Sequence, residues 1–138
     1  MAERWLFKTE PGAYSFTQLE RDRRTVWEGV KNALALKHLA RTGAGDEVLV
    51  YHTGDEKAAV GVARIVRGPY PDPGQGDPRL MVVDLAPVRA LPRPVTLAEM
   101  RASRRLAGFD LLRLPRLSVV PVSAAHWAEI LRLAGSDA

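Results

Sequence analysis

A chain of 138 residues, 46% apolar and 26% charged, has the size and composition of one globular domain over residues 1–138. It has no cysteine, and its three histidines, His38, His52 and His126, stand in no HExxH-type spacing. That excludes disulfides, thiolate metal sites and cysteine nucleophiles, and points to no metal. No apolar run approaches the roughly 18–20 residues of a membrane span, and the N-terminus lacks the basic, apolar, small-residue order of a secretory signal. No membrane partner and a cytoplasmic location are expected. Net charge is +4 with pI near 9.8, and sixteen of the twenty cations are arginine, which permits phosphate contact without requiring it.

Residues 4–9 read as a first strand, because Trp5 and Phe7 alternate with Leu6 and Lys8 and both faces carry apolar surface. Pro11 pushes Glu10 toward an extended conformation and ends that ladder. Ser15-x-x-Gln18 has capping-box spacing and predicts a short helix over residues 16–21, followed by the charged RDRR of 21–24. Trp27 comes after this charged stretch, outside any helical or strand stripe. Asn32 is a good N-cap for a helix through residue 40 that turns Ala35, Leu36 and Leu39 to the core, with Gly43 and Gly45 beyond it.

Residues 47–52 and 58–67 are β-like runs around the polar turn Thr53-Gly54-Asp55-Glu56, which predicts an antiparallel hairpin. Gly61 and Ala63 are the small residues expected where a small barrel closes or a ligand approaches. PYPDPGQGDP at 69–78 reads as irregular loop, and residues 80–90 as a strand stopped by Pro92 and Pro94. Thr96-x-x-Glu99 is a second capping box, heading a helix to about residue 103. Residues 117–122 form the last expected strand, and 123–133 a closing helix carrying Trp127, Ile130 and Leu131. Strands in the middle with helices near both ends favour an α+β fold with a strongly bent or closed sheet over a βαβ sandwich.

WEGVKN, residues 27–32, places an aromatic, a glycine that lets the backbone come close, a cation and an amide within six residues. An aromatic face can stack on a flat ring and an amide can pair with its edge, which is how proteins hold a base taken out of its stack. Taken in order with WLFKTEP at 5–11, GDEVLVYH at 45–52, YPDP at 70–73 and RLSVVPV at 116–122, the segment resembles the EVE domain family. The likeness runs over nearly the whole chain, from about Trp5 to Leu133. It implies a PUA-like fold, α+β with a mixed, strongly bent or closed β-barrel and short peripheral helices, shared with the YTH and ASCH families.

The same resemblance implies a pocket for a modified base walled by Trp27, lined by Lys8, Thr9 and Glu10 of the K-[ST]-E-P segment. Lys31 and Asn32 stand in the family's W-[DE]-G-V-[RK]-N pattern, His52 in a YH[ST] segment near the pocket, and Arg116 with Ser118 in RLSVVPV. The chain departs from the pattern at Leu80. Many relatives carry a tryptophan in the segment matching DPRLMVV, so a second aromatic wall is absent. Leu80 can still pack against a base, without a π face.

Each residue also has a plainer reading. Trp27 can plug the core at the mouth of the sheet, and helix capping explains Asn32 fully, although a cap can also face a pocket. Lys31 can be a solvated cation, and Gly29 a turn position of positive φ. Lys8, Thr9 and Glu10 can be a polar strand end. His52, alternating with Val48 and Val50, can be a satisfied core histidine, and Trp5 and Trp127 read as core.

The expected function is a non-enzymatic module that recognises a modified nucleobase in DNA or RNA. Surface arginines would supply sequence-independent phosphate contacts, and no cofactor is implied. One alternative is a small ASCH-like hydrolase or nucleotide-processing enzyme using Glu10, Lys8 and His52, although the chain has no serine elbow or phosphate-cradling glycine loop. The other is a small-molecule or protein-binding module, which a surface without a basic rim around Trp27 would favour.

Overall fold

Three consecutive buried side chains, Trp5, Leu6 and Phe7, mark β1 (Arg4–Thr9) as a strand covered on both faces. In the computed structural model, which describes residues 3–136, β1 lies inside the sheet accordingly. It pairs in parallel with β3 (Glu47–His52), from Arg4↔Glu47 to Thr9↔His52, and antiparallel with β6 (Val119–Pro121). A parallel pair needs a crossover. Here the crossover carries α1 (Phe16–Asp22), the short β2 (Thr25–Trp27) and α2 (Ala33–Leu39). Two long antiparallel arms follow, β4 (Ala58–Pro71) and β5 (Met81–Thr96), completing the order β2-β5-β4-β3-β1-β6. The remaining elements are α3 (Leu97–Ala102), a 3-10 turn at Arg104–Leu106, α4 (Asp110–Arg113) and α5 (Ala124–Leu133).

The fold is α+β, and of the two sheet forms expected it takes the bent, open one. β2 and β6 are its edges. Yet the Trp27 ring on β2 lies 5.9 Å from that of Phe7 on β1, four strand positions away. In a flat sheet strands spaced about 4.8 Å apart would hold them about 19 Å apart. Register shifts between β4 and β5, at Ala59/Gly61, Val62/Ala63, Ile65/Arg67 and Arg67/Tyr70, supply the bending and twist.

Several sequence expectations change. Trp27 does belong to a strand, since Thr25, Val26 and Trp27 pair with Leu85, Asp84 and Val83, a run too short to show alternation. Pro92 and Pro94 do not end β5. The ladder passes from Ala59↔Val95 to Gly61↔Ala90, so both prolines fall in a bulge opposite Val60, where their missing N–H groups cost no ladder bond. β4 reaches Pro71 because Tyr70 and Pro71 pair with Val82 and Met81, which shortens the irregular loop to residues 72–80. The last strand contracts to three residues, and α4 was not foreseen.

Local chemistry otherwise does what its residues suggest. The Ser15 hydroxyl accepts from Gln18 N–H at 3.1 Å, Asn32 Oδ1 from Ala35 N–H at 3.0 Å, and Ser123 Oγ from His126 N–H at 3.1 Å. Thr96 and Glu99 form a reciprocal capping box. At Gly61 the space a Cβ would need is filled by the Phe16 ring, 2.4 Å away, so this glycine serves core packing. Among the described residues no helix is long and apolar enough to cross a membrane.

Two buried carboxylates each fasten one end of the chain to its middle. Asp46 accepts from Glu3 N–H, Gly43 N–H and Trp5 Nε1, each at 2.9 Å, joining the start of β1 to the start of β3. Glu129 on α5 accepts from Arg132 at 2.7 and 2.9 Å and from Ser103 Oγ at 2.6 Å. The Arg132 guanidinium and the Ser103 hydroxyl outweigh burial and hold its pKa at about 2, below the ordinary 4.5. A depressed folded pKa contributes stability that is present above the unfolded value and lost as pH falls toward 2. Glu129→Gln is therefore expected to lower the melting temperature at neutral pH and to flatten its fall in the acid range. Parallel acid profiles for the two proteins would show that this carboxylate does not set the acid response.

Candidate functional site

The place of Trp27 follows from the β2–β5 pairing and from Gly29, whose φ of 85° turns the chain toward α2 at little steric cost. The side chain is 7% exposed. It packs on Phe7, and Tyr14 meets it edge-on with ring centroids 6.2 Å apart. What remains accessible lines a hollow of about 450 Å³, shared with Lys8, Thr9, Tyr14, Thr25 and Glu28. That volume lies in the range of small-ligand sites, roughly 300–1,000 Å³. Trp27 is thus both a core residue and part of a wall.

The polar groups around it are held in place. Lys8 Nζ donates to Pro115 O at 2.8 Å, and burial pushes its pKa below the ordinary lysine value. Thr9 Oγ1 donates to Tyr14 O at 2.8 Å, which leaves its oxygen lone pairs toward any incoming donor. Tyr14 donates to Asp22 at 2.8 Å, and burial pushes its phenol pKa up. Glu28 is exposed, and its carboxylate meets no donor among the described residues.

The remaining sequence candidates scatter around this hollow. Glu10 turns away, accepting from Gly12 N–H at 3.1 Å and lying against Gly54. His52 is buried and outside the lining: Nε2 accepts from Phe16 N–H at 3.1 Å, which assigns the proton to Nδ1, 2.7 Å from Glu56 Oε1. It latches the start of α1. Leu80 closes the 72–80 loop, its carbonyl accepting from Asp72 N–H at 2.8 Å, and lines none of the hollows described here. Lys31 is exposed and carries no ion pair among the described residues. Ser118 acts through its backbone, accepting from Lys8 N–H at 3.0 Å. Asn32 and Arg116 line a separate hollow of about 290 Å³ with Leu34, Arg113 and Pro115.

A third hollow, also about 290 Å³, joins the other two. It shares Lys8 with the Trp27 hollow and Pro115 with the Asn32 hollow, and adds Tyr51, Lys57, Leu97 and Arg101. The Lys8–Pro115 bond sits at the junction. Five cations, Lys8, Lys57, Arg101, Arg113 and Arg116, therefore line these three neighbouring hollows. Sequence reasoning missed Tyr14, Glu28, Tyr51, Lys57 and Arg101. Glu28 and Tyr51 stand inside the quoted WEGVKN and GDEVLVYH and Tyr14 just beyond WLFKTEP, whereas Lys57 and Arg101 carry no local mark. Among the described residues no cluster of three histidine or carboxylate side chains is arranged to hold a metal.

Comparison with known proteins gives this geometry a context. Over its length the chain is similar to a solved protein of Rhodopseudomonas palustris, 36% identical with a TM-score of 0.92, covering 97% of this chain and 94% of that one. It is similar to human thymocyte nuclear protein 1, 26% identical over 96% of this chain and 74% of the relative. The crystal structure of the human protein in complex with 5-methylcytosine-containing DNA superposes with a TM-score of 0.89, covering 99% of this chain and 100% of that one at 26% identity. An ASCH protein from Zymomonas mobilis shares the fold at 12% identity and a TM-score of 0.59, covering 95% of each chain. The fold is PUA-like. The family model described as EVE domain matches residues 3–133, and the chain belongs to the EVE domain family.

Proposed function

We propose that the chain is a single, non-enzymatic binding module that takes a modified nucleobase of DNA or RNA into the hollow beside Trp27. The observation that carries this is that the hollow neighbours two others, sharing Lys8 with one that in turn shares Pro115 with the next, and that five cations line the three. An aromatic wall suits a flat base, and the cations suit the strand it belongs to. The complex of human thymocyte nuclear protein 1 with 5-methylcytosine-containing DNA supports the same reading. Glu28 lines this hollow where Glu10 does not, which supports Glu28 as the acceptor for an exocyclic amine, as carboxylates are for cytosine N4. Thr9 and Lys8 complete the polar side.

The enzyme alternative draws less support. It needs Glu10, Lys8 and His52 together, yet both ring nitrogens of His52 are engaged and Glu10 turns toward Gly12. The basic border weighs against a pocket that never meets nucleic acid.

The test is a pair of titrations over a range of salt. A short DNA duplex carrying 5-methylcytosine is expected to bind more tightly than its unmodified counterpart. Its affinity should fall with salt with a logarithmic slope of about −0.9 per phosphate contacted. Free 5-methyl-2′-deoxycytidine, with no phosphate, should show almost no slope. Equal affinity for both duplexes sinks the modified-base reading, and equal slopes for duplex and nucleoside sink the phosphate-reading border.

A further inference from the structure

Tyr51 has an unusual standing for a buried phenol. The residue is 3% exposed, yet its hydroxyl makes no hydrogen bond to any described residue. Nor is it one of the side-chain atoms sealed from solvent without a partner, which are Arg4 Nε and His38 Nδ1. Its oxygen therefore opens into the third hollow, whose walls are Leu97, Leu111 and Pro115 and whose cations are Lys8, Lys57 and Arg101. The lining contains no carboxylate. Lys57 and Arg101 have no ion-pair or hydrogen-bond partner for their charges among the described residues. Lys8 spends one donor on Pro115 and has two left.

Such an arrangement has one obvious complement. A donor phenol that shares a partly apolar hollow with three cations matches a compact anion with several acceptor oxygens. Burial pushes the Tyr51 phenol pKa up, with the Arg101 charge acting against it, so the hydroxyl is a donor at neutral pH. Lys57 also holds a φ of 45°, a conformation that glycine adopts far more cheaply. The turn thus carries a lysine where backbone economy favours none. Glu10, with its carboxylate against Gly54, lies outside the lining, as do Asp55 and Glu56 of the same turn, the latter paired with His52.

We propose that the hollow under Tyr51, Lys57 and Arg101 is a phosphate subsite. It takes a backbone phosphate of the same strand whose base occupies the hollow beside Trp27, and Lys8 borders both. This rests on the nucleic-acid reading above. Tyr51 and Arg101 read the anion, Lys57 supplies charge at the rim, and the apolar walls hold off competing water.

Two measurements test it on the 138-residue chain. In the first, inorganic phosphate is titrated while backbone amide resonances are followed. Shifts should concentrate at residues 51–57 and 97–101, and Tyr51→Phe should weaken them on the order of tenfold, having lost a hydroxyl with no protein partner. In the second, the 5-methylcytosine duplex is titrated over salt with Lys57→Gly, which the positive φ accommodates, and with Arg101→Ala. Each should reduce the salt slope by about one and leave nucleoside affinity unchanged. Glu10→Gln should tighten duplex binding. Lys37→Ala, an exposed cation on α2 outside every hollow described, is the control and should do neither.

No phosphate shifts at this hollow, with slopes that match Lys37→Ala, overturns the subsite. Phosphate binding there with unchanged duplex slopes overturns the backbone assignment and points to a small phosphate ligand. A wild-type protein that does not distinguish the two duplexes removes the modified-base reading, while the phosphate titration still decides the subsite.

Discussion

Trp27→Leu is expected to lower affinity for the 5-methylcytosine duplex by about 5- to 150-fold, the loss of roughly 1–3 kcal/mol of base–aromatic stacking, in a protein that still folds. Leucine is the informative replacement because of how Trp27 sits. It is 7% exposed and packs on Phe7 and Tyr14, so Trp27→Ala would open a cavity at the junction of β2 and β1 and cost about 3–5 kcal/mol of stability. That loss would mix unfolding with lost binding. Leucine keeps part of the apolar volume and removes the π face. Trp27→Phe, which keeps a ring, should fall between wild type and leucine in affinity. Calorimetric titration of the three proteins, with melting temperatures alongside, gives the order. Three equally folded proteins of equal affinity would leave Trp27 as a core residue only and move the base elsewhere.

An equally large loss of stability is expected away from the site. Asp46→Ala strands three donors at once, Trp5 Nε1, Gly43 N–H and Glu3 N–H, each now 2.9 Å from a carboxylate oxygen. A buried donor without a partner costs about 1–3 kcal/mol. Water can reach the exposed Glu3 end, so a total of about 3–5 kcal/mol is expected, a drop of about 10–20 °C in melting temperature for a chain of this size. Asp46→Asn keeps one acceptor oxygen and should lose about half as much. The reason is topological: Asp46 precedes β3 and Trp5 lies on β1, so the pair fastens the parallel strands where no turn connects them. An alanine variant that melts with wild type would mean that water replaces the carboxylate fully.

The two halves of the site differ in how far they could be read before folding. WLFKTEP and WEGVKN are short runs with their own chemistry, and they lie close in the fold. Lys8, Thr9 and Trp27 line one hollow, and Asn32 caps α2 as its type demands. β1, β3, the hairpin into β4 and the capped starts of α1, α2 and α3 were legible for the same reason. Alternation, turn residues and a side chain three positions from its N–H partner are all set by neighbours in the chain.

What neighbours do not set is which distant segments meet. A three-residue β2 becomes a strand only because Leu85, Asp84 and Val83 are there to pair with it. Pro92 and Pro94 stay within β5 only because the register slips opposite Val60. His52, a candidate for the pocket, is claimed instead by Phe16 N–H and Glu56, contacts fixed by where α1 docks. The third hollow shows the limit most plainly. Lys8, the Tyr51–Lys57 hairpin, Arg101 and Pro115 come from four separate places in the chain, and no local pattern in the sequence marks them as a group. Side-chain chemistry could name a wall and a cap; the bend of the sheet, a sum of long-range pairings, decided what stands around them.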